Sequence, residues 1–434
     1  MKNICLYFKI HQPFRLVNFP FFEIGNGKNY FDEELNSSIL NEEVLNSYLP
    51  LNRLLLQLIR THDKKFSVSF CISGTALEQF EKYAPEVIAS FQELFDTGCV
   101  EFIGETYAHS LAALKSRKEF ARQAVFHSGK VNELFGASPK TFRIPQLTYT
   151  DAIGEILFDM GFKTLVLEGN DINWIDGAVN YTYKSALTPE LKILLNNQKL
   201  SDDITLRFSD IQWTEFPLTA AKYIDWLKAT PEKEQLINLF LNYGDLGKLQ
   251  QNGWGIVGFL DAFIGKSLSS GIQLTTPSFL EPMDHEATLF ASSILSSSGK
   301  NSRHEMACQM GNDMQKEAFY SLYDLENLIV DCPDPGIQRD WLYLQSSDHF
   351  YYMGTGQMLP NGKHPHLSPY ESPFLAFINF MNVISDYRSK AVGLMKSLTT
   401  TRLNQLKSEK TKRKVPPELL QQGAHPTGVY TPTI

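Results

Sequence analysis

Lys65-Phe-Ser-Val-Ser-Phe-Cys71 is a β-branched and aromatic run, and it leads into a stretch of helical spacing from Ala76 to Phe95. That order, strand then amphipathic helix, decides the fold class. It recurs outward in both directions. Strands are expected near 3–10, 66–72, 100–104, 141–145, 164–168, 204–208, 236–242 and 271–275, with Leu236-Ile-Asn-Leu-Phe-Leu241 the second clear example. Leu45, Leu49, Leu55, Leu56 and Ile59 mark the helix before the 66–72 strand. Strands alternating with helices imply a parallel sheet, and seven or eight such units imply a closed or nearly closed barrel. The stretch from Ile156 to Asn197 carries one clear strand, so one unit is expected to be irregular.

After about residue 284 the pattern turns helical. Met310, Met314, Ala318, Leu322, Leu325 and Ile329 form one stripe; Phe374, Phe377, Met381 and Ile384 form another. The expected division is a barrel over 1–283, a helical C-terminal subdomain packed on it over 284–398, and a disordered tail over 399–434. The tail expectation rests on the basic, Pro-containing run Lys410-Thr-Lys-Arg-Lys-Val-Pro-Pro417.

Composition narrows the class. With 43% hydrophobic and 20% charged residues, the 434-residue chain has the balance of a soluble globular protein. A net charge of −8 argues against nucleic acid, which needs clustered Lys and Arg. No run approaches 18 apolar residues, so no membrane span is expected. The start lacks the pattern of a signal peptide. The five cysteines, Cys5, Cys71, Cys99, Cys308 and Cys332, are odd in number and widely spaced. They read as free thiols in a reducing compartment, and a cytoplasmic location is expected. The oligomeric state is not legible.

Polar residues follow nearly every expected strand, where barrel proteins keep their chemistry. They are His11, Gln12, Ser73, Glu105, Tyr107, His109, Arg143, Gln146, Glu168, Arg207, Asp210, Asn242, Tyr243 and Asp245. A lone His after a strand is more often structural; the convergence is what indicates a polar pocket. With 18 Tyr and 30 Phe in the chain, the set suits a sugar, which offers hydroxyls for hydrogen bonds and apolar faces for stacking. His11, Glu105 and His109 match no short metal motif, so no metal and no cofactor is expected. Neither a phosphate-cradling Gly-rich loop nor a serine nucleophile elbow occurs.

Six motifs in order carry a family resemblance. Tyr7-Phe-Lys-Ile-His-Gln-Pro-Phe-Arg-Leu16 resembles the first motif of the family 57 glycoside hydrolases. Val100-Glu-Phe-Ile-Gly-Glu-Thr-Tyr-Ala-His-Ser-Leu111 resembles the second, in the α-amylase branch. Thr141-Phe-Arg-Ile-Pro-Gln-Leu-Thr-Tyr149 resembles the third and Leu239-Phe-Leu-Asn-Tyr-Gly-Asp-Leu-Gly247 the fourth. Gly311-Asn-Asp-Met-Gln-Lys-Glu-Ala-Phe319 and Gln345-Ser-Ser-Asp-His-Phe-Tyr-Tyr-Met353 also look like that branch. The resemblance implies an incomplete (β/α)7 TIM-like barrel with an α-helical C-terminal region, acting on α-1,4-glucans such as starch, glycogen or maltooligosaccharides with retention of configuration. It implies substrate contacts from His11, Gln12, Glu105, Tyr107, His109, Arg143, Glu168, Tyr243 and Asp245.

Retaining glycosidases use two carboxyl groups about 5–5.5 Å apart, a nucleophile and an acid/base. Carried over by motif position, the nucleophile place is Gln146 and the acid/base place is Asn242; both are amides. An amide neither exchanges a proton at neutral pH nor replaces an anionic nucleophile. Three explanations stand: a natural pseudoenzyme that binds α-glucan, an engineered inactive variant, or catalysis by other carboxylates such as Glu105, Glu168 or Asp245. The surroundings favour the first. Where the family often reads Asp-Tyr-Glu-Thr-Phe-Gly-Glu, this chain reads Asn242-Tyr-Gly-Asp-Leu-Gly-Lys248, and the fifth motif has become Gly299-Lys-Asn-Ser-Arg-His-Glu-Met-Ala-Cys308. The alternatives to a glucan-binding pseudoenzyme are an active α-amylase or 4-α-glucanotransferase, and a structural or partner-binding relic.

Overall fold

The structure, a computed structural model, describes residues 2–144, 149–167, 179–280, 286–289, 310–355 and 368–412. Its strands are β1 Asn3–Ile10, β2 Val68–Ile72, β3 Val100–Phe102, β4 Thr141–Arg143, β5 Thr164–Leu167, β6 Thr182–Ser185, β7 Lys192–Leu195, β8 Leu236–Asn242, β9 Gln273–Thr275 and β10 Glu286–Leu289. Parallel ladders join β3, β2, β1 and β8 on one side, and β4, β5 and β7 on the other. Two parallel bridges close the ring, Gly104 to Phe142 between β3 and β4, and Asn196 to Asn238 between β7 and β8. Seven parallel strands therefore surround one axis. β9 wedges beside the start of β1, with Ser67 N donating to Leu274 O at 3.1 Å.

The interior is filled, as a small barrel requires. Cys5 and Tyr7 of β1, Cys71 of β2, Ile103, Val166 of β5, Leu194 of β7 and Leu236 of β8 form one buried cluster. Tyr7 stacks on Phe240 at 4.4 Å, and its hydroxyl donates to Asn238 Oδ1 at 3.0 Å. Alternate residues of the same strands face outward into two larger cores beneath the helices. Cys5, Cys71, Cys99 and Cys332 are buried free thiols.

Several expectations are corrected. The 204–208 strand does not form. Gln198–Thr205 is a helix, begun by Asn197, whose Oδ1 accepts from Leu200 N at 3.1 Å, and it buries Leu200 and Ile204 four residues apart. Among the described residues the 156–197 stretch holds three strands rather than one: β6 and β7 form an antiparallel pair with no helix between them, so the alternation of strand and helix does not reveal them. The 76–95 helix is two helices, Gly74–Tyr83 and Pro85–Phe95, split where Pro85 takes the first position of the second. Among the described residues one strand, β10, lies beyond residue 284 and pairs with β6. The final helix, Pro373–Lys412, continues past 399. Its buried face is Ala376, Phe380, Val383, Ile384, Tyr387 and Ala391, while Phe374 is exposed.

The helix Tyr243–Gln251 sits directly on Val44–Tyr48, a turn wound as a π-helix. Gly247 permits the approach: a Cβ there would lie 2.3 Å from Ser47 Cβ and 2.6 Å from Ser47 Cα. Backbone cannot yield that much. Gly247→Ala is expected to destabilise the chain by about 1–3 kcal/mol, read as a lowered denaturant midpoint; an unchanged midpoint would refute the packing.

Candidate functional site

Every strand of the ring points its C-terminal end at the same face. There a cavity of about 210 Å³ is lined by Lys9, His11, Gln12, Arg15, Glu43, Tyr48, His109, Asn242, Asp245, Lys248, Ser347, Asp348, Tyr351 and Tyr352, among others. Five of the residues expected from the sequence therefore meet: His11, Gln12, His109, Asn242 and Asp245.

His11 leaves the end of β1 and is held at both ring nitrogens. Nδ1 lies 2.7 Å from Ser73 Oγ and Nε2 2.7 Å from Asp348 Oδ2. Asp348 also accepts from Ser346 Oγ at 2.9 Å. It reaches β1 because the loop after β3 is stitched to the C-terminal region by a bridge between Ser110 and Ser346. Partial withdrawal from solvent would raise the Asp348 carboxyl. The His11 ring beside it outweighs that and holds it well below the usual carboxylate range.

His109 lies 4.7 Å from His11, ring to ring. Its backbone has φ +53°, the left-handed region that non-glycine residues seldom occupy, and its Nδ1 pairs with Glu105 Oε2 at 2.8 Å. Burial first, then the positive charge of Lys9, lowers the His109 pKa to about 3. The ring is thus neutral at pH 7, donating Nδ1–H to Glu105 and turning its other edge to the cavity. Glu105 is fully buried, behind His109. Burial would raise its carboxyl, but His109, and Arg143 Nη1 at 3.8 Å, keep it ionised. Glu105 therefore acts on the cavity only through His109.

Burial also lowers His349 to about 4 and shifts His127 down. The unfolded chain protonates these rings near the ordinary histidine value of about 6.5, whereas His109 and His349 wait until about 3 and 4. Between those values the unfolded state binds more protons, so stability rises with pH and is lost as pH falls. The melting temperature is expected to fall steadily from pH 7 to pH 4. A flat profile across that window would contradict the neutral assignment.

Asn242 ends β8 and begins the next helix: its Oδ1 accepts from Gly244 N at 3.1 Å, an N-cap. Gln12 Nε2 donates to Glu43 Oε2 at 2.9 Å, and Gln12 Oε1 accepts from Arg15 Nη2 at 3.2 Å. Glu43 fills the space beside Gly244, where an added Cβ would meet its Oε2 at 2.8 Å.

Four expected residues sit elsewhere. Tyr107 turns from the cavity and its hydroxyl donates to Glu78. Tyr243 is buried in the barrel's outer core, with its hydroxyl donating to Asn52 Oδ1 at 2.7 Å. Arg143 is buried beneath the site beside Glu105 and 5.7 Å over the Phe240 ring. Arg207 pairs with Asp203 away from this cavity. Gln146 and Glu168, and with them the expected facing of Gln146 and Asn242, lie outside the described residues. No group of three His, Cys, Asp or Glu among the described residues is placed to hold a metal ion. Asp348, Glu43, Lys9 and Lys248 were not singled out from the sequence. Asp348 stood inside a quoted motif, while Glu43 comes from a helix with no motif.

A closed ring of seven parallel strands with a polar cavity at their C-terminal ends defines an α/β-barrel protein with its site in the customary place. The model of glycosyl hydrolase family 57 matches residues 5–288. A Methanocaldococcus jannaschii protein named as a candidate α-amylase is 32% identical over 401 residues, covering 88% of this chain and 84% of the relative. The chain belongs to glycosyl hydrolase family 57. Among solved structures, the α-amylase AmyC of Thermotoga maritima superimposes with a TM-score of 0.61 at 12% identity, covering 92% of this chain and 94% of that one. The branching enzyme of Pyrococcus horikoshii gives 0.62 at 12%, covering 89% and 88%. The 4-α-glucanotransferase of Thermococcus litoralis gives 0.60 at 14%, and this chain, 89% of which is covered, spans 60% of its length. These likenesses support the (β/α)7 barrel with a helical C-terminal region.

Proposed function

We propose that the chain holds an α-1,4-glucan, such as a maltooligosaccharide, in the cavity at Asn242, and that its hydrolase activity is lost or very weak. The observation that carries this is Asn242 itself. The motif resemblance assigns it the acid/base place; it lines the cavity, and its side chain caps the helix it begins. His11, His109, Asp348 and Gln12 around it present the fixed donors and acceptors that sugar hydroxyls need. Tyr351 and Tyr352 supply rings. The free buried cysteines suit the cytoplasm. No helix among the described residues is long and apolar enough to cross a membrane.

The second reading is residual turnover by other carboxylates, favoured by Glu43, Asp245 and Asp348 all lining the cavity. Glu105 is a weaker candidate for direct chemistry than the sequence suggested, since it lies behind His109. Affinity electrophoresis through glycogen tests the binding. The parent is expected to be retarded and His11→Ala to be retarded markedly less. Equal, unretarded migration of both would leave the structural or partner-binding reading.

A further inference from the structure

A second cavity, of about 560 Å³, lies against the outside of the barrel wall between the helices Gln198–Thr205 and Ala220–Ala229. It is not part of the site above. Asn197, on its wall, donates its N–H to Asn238 O within β8, and Thr230 precedes that strand, whereas Asn242 closes it. Two of the five tryptophans of the chain meet here. Trp213 and Trp226 are packed edge to face at 6.0 Å, and both are only half buried. Trp226 is braced from behind by Tyr223 at 6.1 Å, so its ring is held rather than swinging. Polar groups ring the aromatics. Asp203 is buried and paired with Arg207; Glu215 lies 3.4 Å from Lys222; Lys199 is exposed.

Partly exposed indole rings, packed on their inner side against the outer core, beside fixed donors and acceptors match the two surfaces of a pyranose, apolar on its faces and hydroxylated at its edge. The charges narrow the ligand. Asp203 and Glu215 are matched by Arg207 and Lys199 on the same wall, so the rim carries no net positive charge to hold a phosphate, which counts against a nucleotide stacked on the tryptophans. The charged rim counts against a purely apolar guest. We propose that this cavity is a second, non-catalytic carbohydrate site that binds a segment of α-glucan, tethering long chains to the barrel. The identity of the sugar rests on the reading of the central cavity. The place, the rings and the polar rim do not.

Calorimetric titration with maltoheptaose separates the two. The parent is expected to bind two equivalents. Trp213→Ala is expected to lose one of them, and His11→Ala the other. Should Trp213→Ala not fold, Lys199→Gln changes only an exposed side chain and is expected to weaken the same equivalent about tenfold. Loss in the Trp213 or Lys199 variant with binding retained in His11→Ala supports this site even if the central reading fails. Full stoichiometry and unchanged affinity in the folded Trp213 or Lys199 variant overturn it while leaving the central reading intact. A parent that binds no maltoheptaose overturns both.

Discussion

The double variant Gln146→Glu with Asn242→Asp is expected to release reducing ends from maltoheptaose, while the parent and both single variants release none above background. A nucleophile and an acid act as a unit, so either alone supplies no complete route through a covalent intermediate. The fold should tolerate the change at 242. Asp caps a helix as well as Asn does, so the bond to Gly244 N survives. The same geometry limits the gain. An Asp at a helix N-terminus, adjacent in register to Lys9 and across from Lys248, is favoured as an anion. A general acid must carry its proton at the working pH. Recovery is therefore expected to be partial and stronger toward pH 5, within what the buried histidines allow before the fold weakens. Activity in either single variant would break the two-carboxylate account. Glucan binding without turnover in the double would mean that the surrounding groups no longer support the chemistry.

The parent is expected to hydrolyse starch-type substrates at least about 10⁴-fold more slowly than active relatives, the usual scale for losing a member of a catalytic unit. The cavity does keep carboxylates, and they are committed to other partners. Asp348 is tied to His11, Asp245 lies 3.6 Å from Lys248, and Glu43 accepts from Gln12 and Tyr48. Each is paired with a donor or cation, which suits gripping hydroxyls more than exchanging protons. A turnover above about 1 s⁻¹ on any maltooligosaccharide would overturn this and turn attention to Asp245, Glu43 and Asp348.

Glu43 also revises the meaning of Gly244. In the family pattern that place carries a Glu, and its loss reads from the sequence as erosion. In the structure the Glu43 carboxylate, carried by another helix, fills the space beside Gly244, and Gly244 leaves room for it.

That arrangement shows why parts of the site were legible and others not. His11, Gln12, His109, Asn242 and Asp245 follow strands whose β-branched, apolar runs are unmistakable, and a barrel sends whatever follows such a run to one face. Tyr107 and Tyr243 follow the same runs, yet they turn to Glu78 and Asn52, because position after a strand does not fix a rotamer. Asp348 arrives through a long-range bridge between Ser110 and Ser346, which no local periodicity encodes. The barrel count was legible except where elements are short. β6 and β7 have four residues each and follow one another with no helix between, so the strand-then-helix order that marks the other short strands is missing. The 204–208 error has a related cause, since Ile204 and Phe208 fit a short apolar run as readily as a helical face. The cavity holding Trp213 and Trp226 left no trace in any motif; it depends on how two consecutive helices and the segment joining them pack in the folded chain.

The most direct test of the central claim is one calorimetric experiment in which maltoheptaose is injected into the parent protein. The account predicts saturable binding heat that disappears in His11→Ala for the central equivalent, followed by a flat baseline, since the sugar is held and not cut. A sustained heat of hydrolysis after each injection, with reducing ends accumulating in the cell, would contradict it.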